Sequence, residues 1–231
     1  MTFLCKEKKF IFVHLYKNAG SSIKYSLRQR VKNNLELIPS FGNDKFYSLT
    51  TTLFRNLASN KIYFPSSKLQ YKYYKHHTHL KFKTLEKFIF NINEYKTFAI
   101  VRNPFSWQVS QYKFMISNPN LPEYKIIKTM NFKEYINWRC LSENKKSQTA
   151  FLLSKDNKIK ISKIIKIEEL ENQWSGILRW LGISDVKLGF RNITKNDNDE
   201  YKKYYDEETA DLLIKNFKDD FTNFNYDFSI Y

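Results

Sequence analysis

A lysine and two serines surround a glycine close to the amino terminus. Lys17, Gly20, Ser21 and Ser22 follow an apolar run and precede a segment with helical periodicity. Where a buried strand turns into a helix, backbone N–H groups converge and the helix adds roughly half a positive charge, so anions bind there. The segment is not a Walker A loop, because its lysine precedes the glycine and no Gly-Lys-Ser/Thr ending follows. Alone, it is equally compatible with an ordinary turn that carries a solvated lysine.

Arg102 directly follows a second apolar run, at the position where ligands bind in open α/β sheets. Its planar guanidinium can hold a phosphate through two hydrogen bonds. Ser106, Ser110 and Lys113 fall on one face of the helix predicted after it, where Ser110 can help to bind the same phosphate. Taken alone, Arg102 is as well explained as a helix-capping or salt-bridging residue. Two anion sites in one sheet predict a ligand with two separated anionic groups.

Three of the four histidines crowd into residues 76–79. His77 and His79 lie on the same side of an extended segment. The ordinary pKa of histidine lies near neutrality, which suits a general base that takes a proton from a hydroxyl. A metal site is the competing interpretation but lacks a third ligand with recognisable spacing, and a solvated histidine cluster is the other. His14, inside the first apolar run, is expected to be a packed and hydrogen-bonded residue.

Carboxylates offer an alternative base. Glu86, Glu94 and Glu168 are the candidates that the sequence leaves open. The pair Glu168 and Glu169, at the start of a predicted helix, is also explained by a favourable interaction with the helix dipole.

The elements that position these residues alternate between strands and helices. Residues 10–15 and 98–101 are short apolar runs typical of strands buried on both faces of a parallel sheet. Each run leads into a predicted helix: the first with Ser21 and Ser22 as N-cap residues and an apolar stripe, the second with Pro104 in its first turn. The stripes are Ile23, Leu27 and Val31 in the first helix and Phe105, Val109, Tyr112 and Ile116 in the second.

Two more amphipathic helices follow. One runs from Leu170 to Leu181 and is terminated by Gly182, and the other contains Ala210, Leu213, Ile214 and Phe217. An aromatic tail of Phe221, Phe224, Tyr226 and Phe228 is expected to pack back on the core. Residues 33–75 are expected to form a variable, substrate-facing insert, and a short helix is predicted near Leu53 to Leu57. The pattern predicts a single domain over residues 1–231, an α/β fold with a mainly parallel sheet.

Composition narrows the classes of partner without choosing among them. The chain has 231 residues and a net charge of +16, which suits binding to nucleic acid, membrane surfaces or anionic substrates. Lysine is spread along the chain and arginine, the preferred base reader, is scarce, so nucleic acid is disfavoured. Cys5 and Cys140 lack metal-binding spacing, and no apolar stretch approaches the roughly 18 residues that span a bilayer. A soluble, cytoplasmic, metal-free protein is expected.

Several segments together resemble sulfotransferases, especially the branch that sulfates glycans. His14 to Ile23 is similar to that family's 5′-phosphosulfate loop, and Val101 to Phe105, with Ser110 eight residues after Arg102, resembles its 3′-phosphate site. Further similar segments occur in the family's order at residues 148–153, 166–170, 204–209 and 220–228. The sequence departs from the pattern at Tyr16 (usually Pro), Asn18 (Thr), Asn103 (Asp) and Lys166 (Arg).

The resemblance implies a P-loop-like three-layer fold and the donor 3′-phosphoadenosine-5′-phosphosulfate (PAPS), with transfer of its sulfuryl group to a hydroxyl. By position, the donor-binding residues would be Lys17, Asn18, Ala19, Gly20, Ser21, Ser22, Arg102, Ser110 and Lys195. His77-x-His79 looks like a stretch of the uronyl 2-O-sulfotransferase branch in which the second histidine is the base, so His79 would be catalytic with His77 assisting and Lys17 stabilising the leaving group.

We therefore expect a saccharide or glycan acceptor, including acidic ones. Two other classes stay open: a basic nucleic-acid-binding protein, and a kinase-like nucleotide-dependent transferase. The kinase-like alternative is disfavoured because the chain has neither a Walker A loop nor a Mg²⁺-binding aspartate near Lys17.

Overall fold

The structure, a computed structural model, describes residues 2–31, 35–37, 79–89, 91–141, 146–189 and 200–230. Apart from residues 35–37, the predicted insert 33–75 lies outside these ranges, together with its short helix near Leu53 to Leu57.

A five-stranded sheet forms the centre of the described residues. Its strands are β1 (Phe3–Cys5), β2 (Phe10–Val13), β3 (Leu35–Leu37), β4 (Lys96–Val101) and β5 (Lys163–Lys166), in the order β3-β1-β2-β4-β5. β2 pairs in parallel with β4, and β4 pairs in parallel with β5. Because β1 is antiparallel to both of its neighbours, β3 points the same way as β2. Four of these five strands share one direction, so the predicted mainly parallel sheet is confirmed.

The helices in the described ranges are α1 (Gly20–Arg28), α2 (Phe82–Phe88), α3 (Pro104–Ile116), α4 (Tyr124–Ile127), α5 (Phe132–Cys140), α6 (Gln148–Leu152), α7 (Leu170–Leu181) and α8 (Glu207–Asn223), with 3₁₀ turns at Ile92–Glu94, Ile167–Glu169 and Lys202–Tyr204. The sequence pattern predicted α1, α3, α7 and α8, whereas α2, α4, α5 and α6 were not predicted. None of the helices in the described ranges is long and apolar enough to cross a membrane.

Both faces of the sheet are buried, which explains the continuous apolar runs of β2 and β4. Phe10 and Phe12 of β2 pack with residues of α1 and α7 on one face. Ile11 and Val13 pack with α2 and α6 on the other, since successive side chains of a strand point to opposite faces. The α/β fold with helices on both sides of the sheet is thus confirmed. A further apolar cluster joins α3, α5 and α8 beside the sheet.

The end of one helix differs from the prediction, and the end of another agrees with it. α1 ends at Arg28, before Val31, although Val31 is still buried. Gly182 terminates α7 with a left-handed φ of 69°, as predicted. In the aromatic tail, Phe221 and Phe224 are buried, whereas Phe228 is 40% exposed and stacks its ring on Phe221.

The prediction that Ser21 and Ser22 cap α1 is wrong. The helix begins before them at Gly20, and the N-cap position is held by Ala19, whose φ is 53°. Lys17 also has a left-handed φ, of 60°. This backbone is uncommon for residues other than glycine, and it turns the chain within a few residues. Among the described residues no side chain caps α1, and its first turn holds no acidic residue.

Candidate active site

The carboxyl ends of β2 and β4 bring Lys17 and Arg102 to the same edge of the sheet. Val13 pairs with Ala99, so the segments that follow β2 and β4 leave the sheet side by side. Burial lowers the pKa of Lys17, and the neighbouring charge of Arg102 lowers it further. No acidic side chain of the described ranges forms an ion pair with either cation. Burial lowers the pKa of Arg102, and Glu168 lies close enough to oppose this shift, but it forms no ion pair with Arg102 within the described residues. Two cations at one edge of the sheet with so little opposing charge are suited to bind an anionic ligand.

One row of α3 side chains connects the two cations. The Nε–H of Arg102 donates a hydrogen bond of 2.8 Å to Ser106 Oγ. Two helical turns further, Lys17 Nζ lies 4.5 Å from the centre of the Phe114 ring. Ser110 lies between them on the same row, because residues four apart share a helix face. Ser106 and Phe114 are about 12 Å apart along the axis, at 1.5 Å per residue, so the two cations contact α3 at two separate positions.

The turn between β2 and α1 is held from two sides. Trp107 Nε1–H donates a 2.7 Å hydrogen bond to the carbonyl oxygen of Tyr16. The His14 ring lies directly against Gly20, where an added Cβ would come 1.8 Å from His14 Nε2. Gly20 is therefore needed for close approach, and a larger residue would push the histidine or the turn away.

His79 lies against the same turn. Its Nδ1 is 2.9 Å from the carbonyl oxygen of His14, and its ring stacks on Tyr16 with 3.5 Å between ring centres. The centre of the His14 ring is 4.3 Å away. A carbonyl oxygen only accepts, so Nδ1 carries the hydrogen, and Nε2 of the neutral ring keeps a lone pair. That lone pair can take a proton.

Both histidines are neutral at physiological pH. Burial lowers the pKa of His79 to about 3, against a smaller opposing effect of its hydrogen bond to His14. Burial, and then the proximity of His79, lower the pKa of His14 well below its ordinary value. His14 is 9% exposed, in agreement with the prediction of a packed residue.

A buried amide connects the turn to the end of β4. Asn18 is fully buried, and its Nδ2 donates to the carbonyl oxygen of Ile100 at 2.9 Å and to Gln148 Oε1 at 2.8 Å. The side chain of Asn18 thus points into the fold, and within the described residues its Oδ1 has no hydrogen-bond partner. The Asn18 side chain therefore connects the turn to β4 and α6 and is not available to a ligand at the sheet edge.

The side of the site around Arg102 is closed by residues from three segments. Asn103 caps α3 by accepting hydrogen bonds from the N–H groups of Phe105 and Ser106. The Glu168 carboxylate accepts from the N–H of Asn103 and from the hydroxyl of Tyr226, both at 2.9 Å. The helix-dipole interpretation of Glu168 is therefore incomplete, because its carboxylate also ties β4 to the carboxyl-terminal tail.

Residues 1–227 match a family model whose description is the sulfotransferase family. The chain belongs to the sulfotransferase family. No curated protein and no solved structure matches it. Membership in this family implies PAPS as the sulfate donor.

The predicted donor-binding residues of this sulfotransferase are partly brought together. Lys17, Ala19, Gly20 and Ser21 lie in the turn and the first turn of α1, where Ser21 is exposed. Ser22 is fully buried, so its hydroxyl does not face the sheet edge. Ser110 lies on the α3 row between Ser106, which contacts Arg102, and Phe114, which contacts Lys17. His77 and Lys195 lie outside the described residues, so their roles stay predictions.

The carboxylates proposed as alternative bases have other partners. Glu86 Oε2 accepts from the N–H of Lys155 at 2.7 Å. Glu94 bonds to Lys9 at 3.0 Å and precedes β4, at the edge of the sheet opposite the site. Glu168 is held by Asn103 and Tyr226. In the described part of the chain, no three His, Cys, Asp or Glu side chains are grouped so that they could hold a metal ion.

The structure gives a role to three residues that the sequence did not assign to ligand binding. Ser106, which the sequence placed on the same helix face as Ser110, contacts Arg102 four residues before it. Phe114 contacts Lys17, and Gln148 contacts Arg102 and Asn18. No local pattern marks the last two, because their partners lie far away in the sequence.

Proposed function

We propose that the protein transfers a sulfuryl group from PAPS to a hydroxyl group of a saccharide or glycan, with His79 as the general base. The observation that supports this most is the contact of His79 with the turn that carries Lys17. A hydrogen bond to His14 and a ring stack on Tyr16 hold the imidazole next to a cationic, uncapped helix N-terminus. A base and an anion site are thereby adjacent, as transfer to a hydroxyl requires.

The residues present suit the donor. The N-terminus of α1 has no side-chain cap and no acidic residue, and Lys17 adjoins it. We assign the 5′-phosphosulfate to Lys17 and the backbone of Asn18, Ala19, Gly20 and Ser21. Arg102, supported by Ser106 and with Ser110 beside it, is assigned to the 3′-phosphate.

The bound donor would supply an activated sulfuryl group whose bond to the 5′-phosphate oxygen breaks as the acceptor oxygen bonds to sulfur. Lys17 would stabilise the negative charge that develops on the leaving oxygen. Nε2 of His79 would take the acceptor proton, since its lone pair is available at neutral pH. His77 would assist, as the resemblance to the uronyl branch suggests.

The acceptor class rests on that resemblance and on charge. The His77-x-His79 pattern is similar to that of enzymes that sulfate uronyl residues, and the net charge of +16 favours an acidic glycan over a neutral one. Nucleic acid is not the proposed partner.

A transfer assay tests the proposal. Purified protein is incubated with PAPS carrying radiolabelled sulfate and a panel of capsular, lipopolysaccharide-type and small glycosides, with simple phenols and alcohols as non-saccharide acceptors. We expect label on at least one saccharide, and loss of about 10²–10⁴ in turnover for His79→Ala with binding of adenosine 3′,5′-bisphosphate unchanged. Lys17→Ala should weaken that binding. Label appearing only on non-saccharide hydroxyls would contradict the acceptor class, and normal turnover of His79→Ala would contradict the base.

A further inference from the structure

We propose that Gln148 is a positioning residue that fixes the distance between the two anion-binding parts of the site. Its side chain is fully buried behind the sheet edge. Gln148 Oε1 accepts hydrogen bonds from Asn18 Nδ2 at 2.8 Å and from the N–H of Arg102 at 2.9 Å. Gln148 Nε2 donates to the carbonyl oxygen of Arg102 at 2.7 Å. One amide thus holds both the turn after β2 and the end of β4.

The two segments that Gln148 joins are the ones that carry the cations. Asn18 directly follows Lys17, and its Nδ2 also bonds to the carbonyl oxygen of Ile100, next to the end of β4. The peptide groups on both sides of Arg102 are held by the Gln148 amide. Without that amide, Arg102 and Lys17 would keep their charges, but the distance between them would no longer be fixed.

Gln148 is itself held in place from the opposite side. It begins α6, where the Asp220 carboxylate of α8 accepts from the N–H groups of Gln148 at 2.8 Å and Thr149 at 2.7 Å. Ser147 caps the same helix by accepting from the N–H of Ala150. The Gln148 side chain therefore extends from the first turn of α6, and hydrogen bonds to Asp220 fix that turn to α8.

Fixed spacing matters only for a ligand that bridges the two cations. A ligand with two anionic groups gains from its second contact through effective concentration, and this gain depends on the distance between the binding groups. A ligand with one anionic group gains nothing from that distance. This inference rests on the proposed function, because it takes a nucleotide with 3′ and 5′ anionic groups as the ligand.

Calorimetric titration with three probes tests the inference. They are adenosine 3′,5′-bisphosphate, adenosine 3′-monophosphate and adenosine 5′-monophosphate. For Gln148→Ala we expect the bisphosphate to bind about tenfold more weakly and each monophosphate to change by less than about threefold. Asn18→Ala removes the hydrogen bond between the turn after β2 and Gln148, so it should give the same pattern. This variant tests the inference if Gln148→Ala does not fold.

Gln108→Ala is the matched control. Gln108 is also fully buried, and its Oε1 accepts from Tyr135 and Arg139, away from Arg102. It should lower the melting temperature without changing the preference for the bisphosphate. Equal weakening of all three probes in Gln148→Ala, or an unchanged affinity for the bisphosphate, would overturn the positioning role. If the wild-type protein does not bind the bisphosphate at all, the proposed function fails and this inference fails with it.

Discussion

His79 combines a fixed tautomer with an unusually low proton affinity. Its Nδ1–H is bonded to the His14 carbonyl oxygen, and the ring is enclosed by Tyr16 and His14. Burial favours the neutral ring and lowers its pKa to about 3. The base is then ready for proton transfer over the whole neutral range, although it is weaker than an exposed histidine.

This predicts an unusual pH profile. The value of kcat/KM reports the ionisation of the free enzyme, so it should stay level from pH 7 down to about pH 5. An ordinary histidine base would instead halve it near pH 6.5. The profile should be measured with saturating donor and varied acceptor, so that kcat/KM reports the enzyme before its His79 meets the acceptor, while circular dichroism confirms that the protein stays folded. A midpoint near pH 6.5 would show that His79 is exposed in solution or is not the base.

Alanine substitutions at Gly20 and Gly176 compare a crowded glycine with an open one. In Gly20→Ala the new methyl group would meet the His14 ring, so we expect a loss of about 1–3 kcal/mol in the free energy of unfolding. Gly176, inside α7, has nothing within 4 Å of an added Cβ. Gly176→Ala should stabilise by about 0.5–1 kcal/mol, because alanine loses less conformational freedom in a helix. Urea denaturation measures both, and equal effects would refute the contact between Gly20 and His14.

At the scale of elements, α6 depends on a carboxylate from α8. Asp220 is fully buried and accepts from two N–H groups of the first turn of α6. Burial raises the pKa of Asp220 to about 6, more than the hydrogen bonds from Thr149 and Gln148 lower it. The start of α6, and with it Gln148, is therefore tied to an ionisable group.

The sign of this pKa shift predicts a pH dependence. Between about pH 4 and pH 6 the folded protein binds more protons at Asp220 than the unfolded chain does, so this group's contribution to stability falls as pH rises. The free energy of unfolding of wild type minus that of Asp220→Asn should shrink by about 2–3 kcal/mol over this interval. A difference that grows with pH at Asp220 would mean that its hydrogen bonds outweigh burial.

Two strands and four helices could be predicted from the sequence, because buried strands and amphipathic helices leave local patterns. The strands β1, β3 and β5 and the helices α2, α4, α5 and α6 were not predicted. The runs in β2 and β4, Pro104 at the start of α3, and Gly182 at the end of α7 all had such patterns. The N-terminus of α1 was mispredicted because a left-handed Ala19 has no distinctive sequence. Lys17 and Arg102 could be placed at one edge because both follow parallel strands.

Contacts between distant segments could not be predicted in this way. Gln148 is 130 residues from Asn18 and 46 from Arg102, and the position of its amide depends on how α6 packs on α8. The contact of His79 with His14 spans 65 residues. The sequence suggested a base at His79 through a family resemblance, whereas its tautomer and lowered pKa follow only from the fold.

At the scale of the whole molecule, the net charge of +16 should affect acceptor binding. If the acceptor is an acidic glycan, raising the ionic strength from about 0.1 M to about 1 M shortens the screening length from about 10 Å to about 3 Å and should raise its KM several-fold. With donor held saturating, a neutral glycoside of the same size should show little change. Equal salt dependence for both acceptors would mean that the lysine excess does not guide acceptor binding.

The most direct test of the account is binding of adenosine 3′,5′-bisphosphate, the product of the proposed donor, followed by thermal unfolding. At about 100 times its dissociation constant a ligand stabilises by about 2.7 kcal/mol, and each kcal/mol raises the melting temperature of a chain of this size by roughly 2–4 °C. We predict this shift for the wild type, a much smaller one for Lys17→Ala and Arg102→Ala, and little effect of ATP with Mg²⁺ or of duplex DNA. No shift with the bisphosphate, together with a salt-sensitive shift with DNA, would contradict the account.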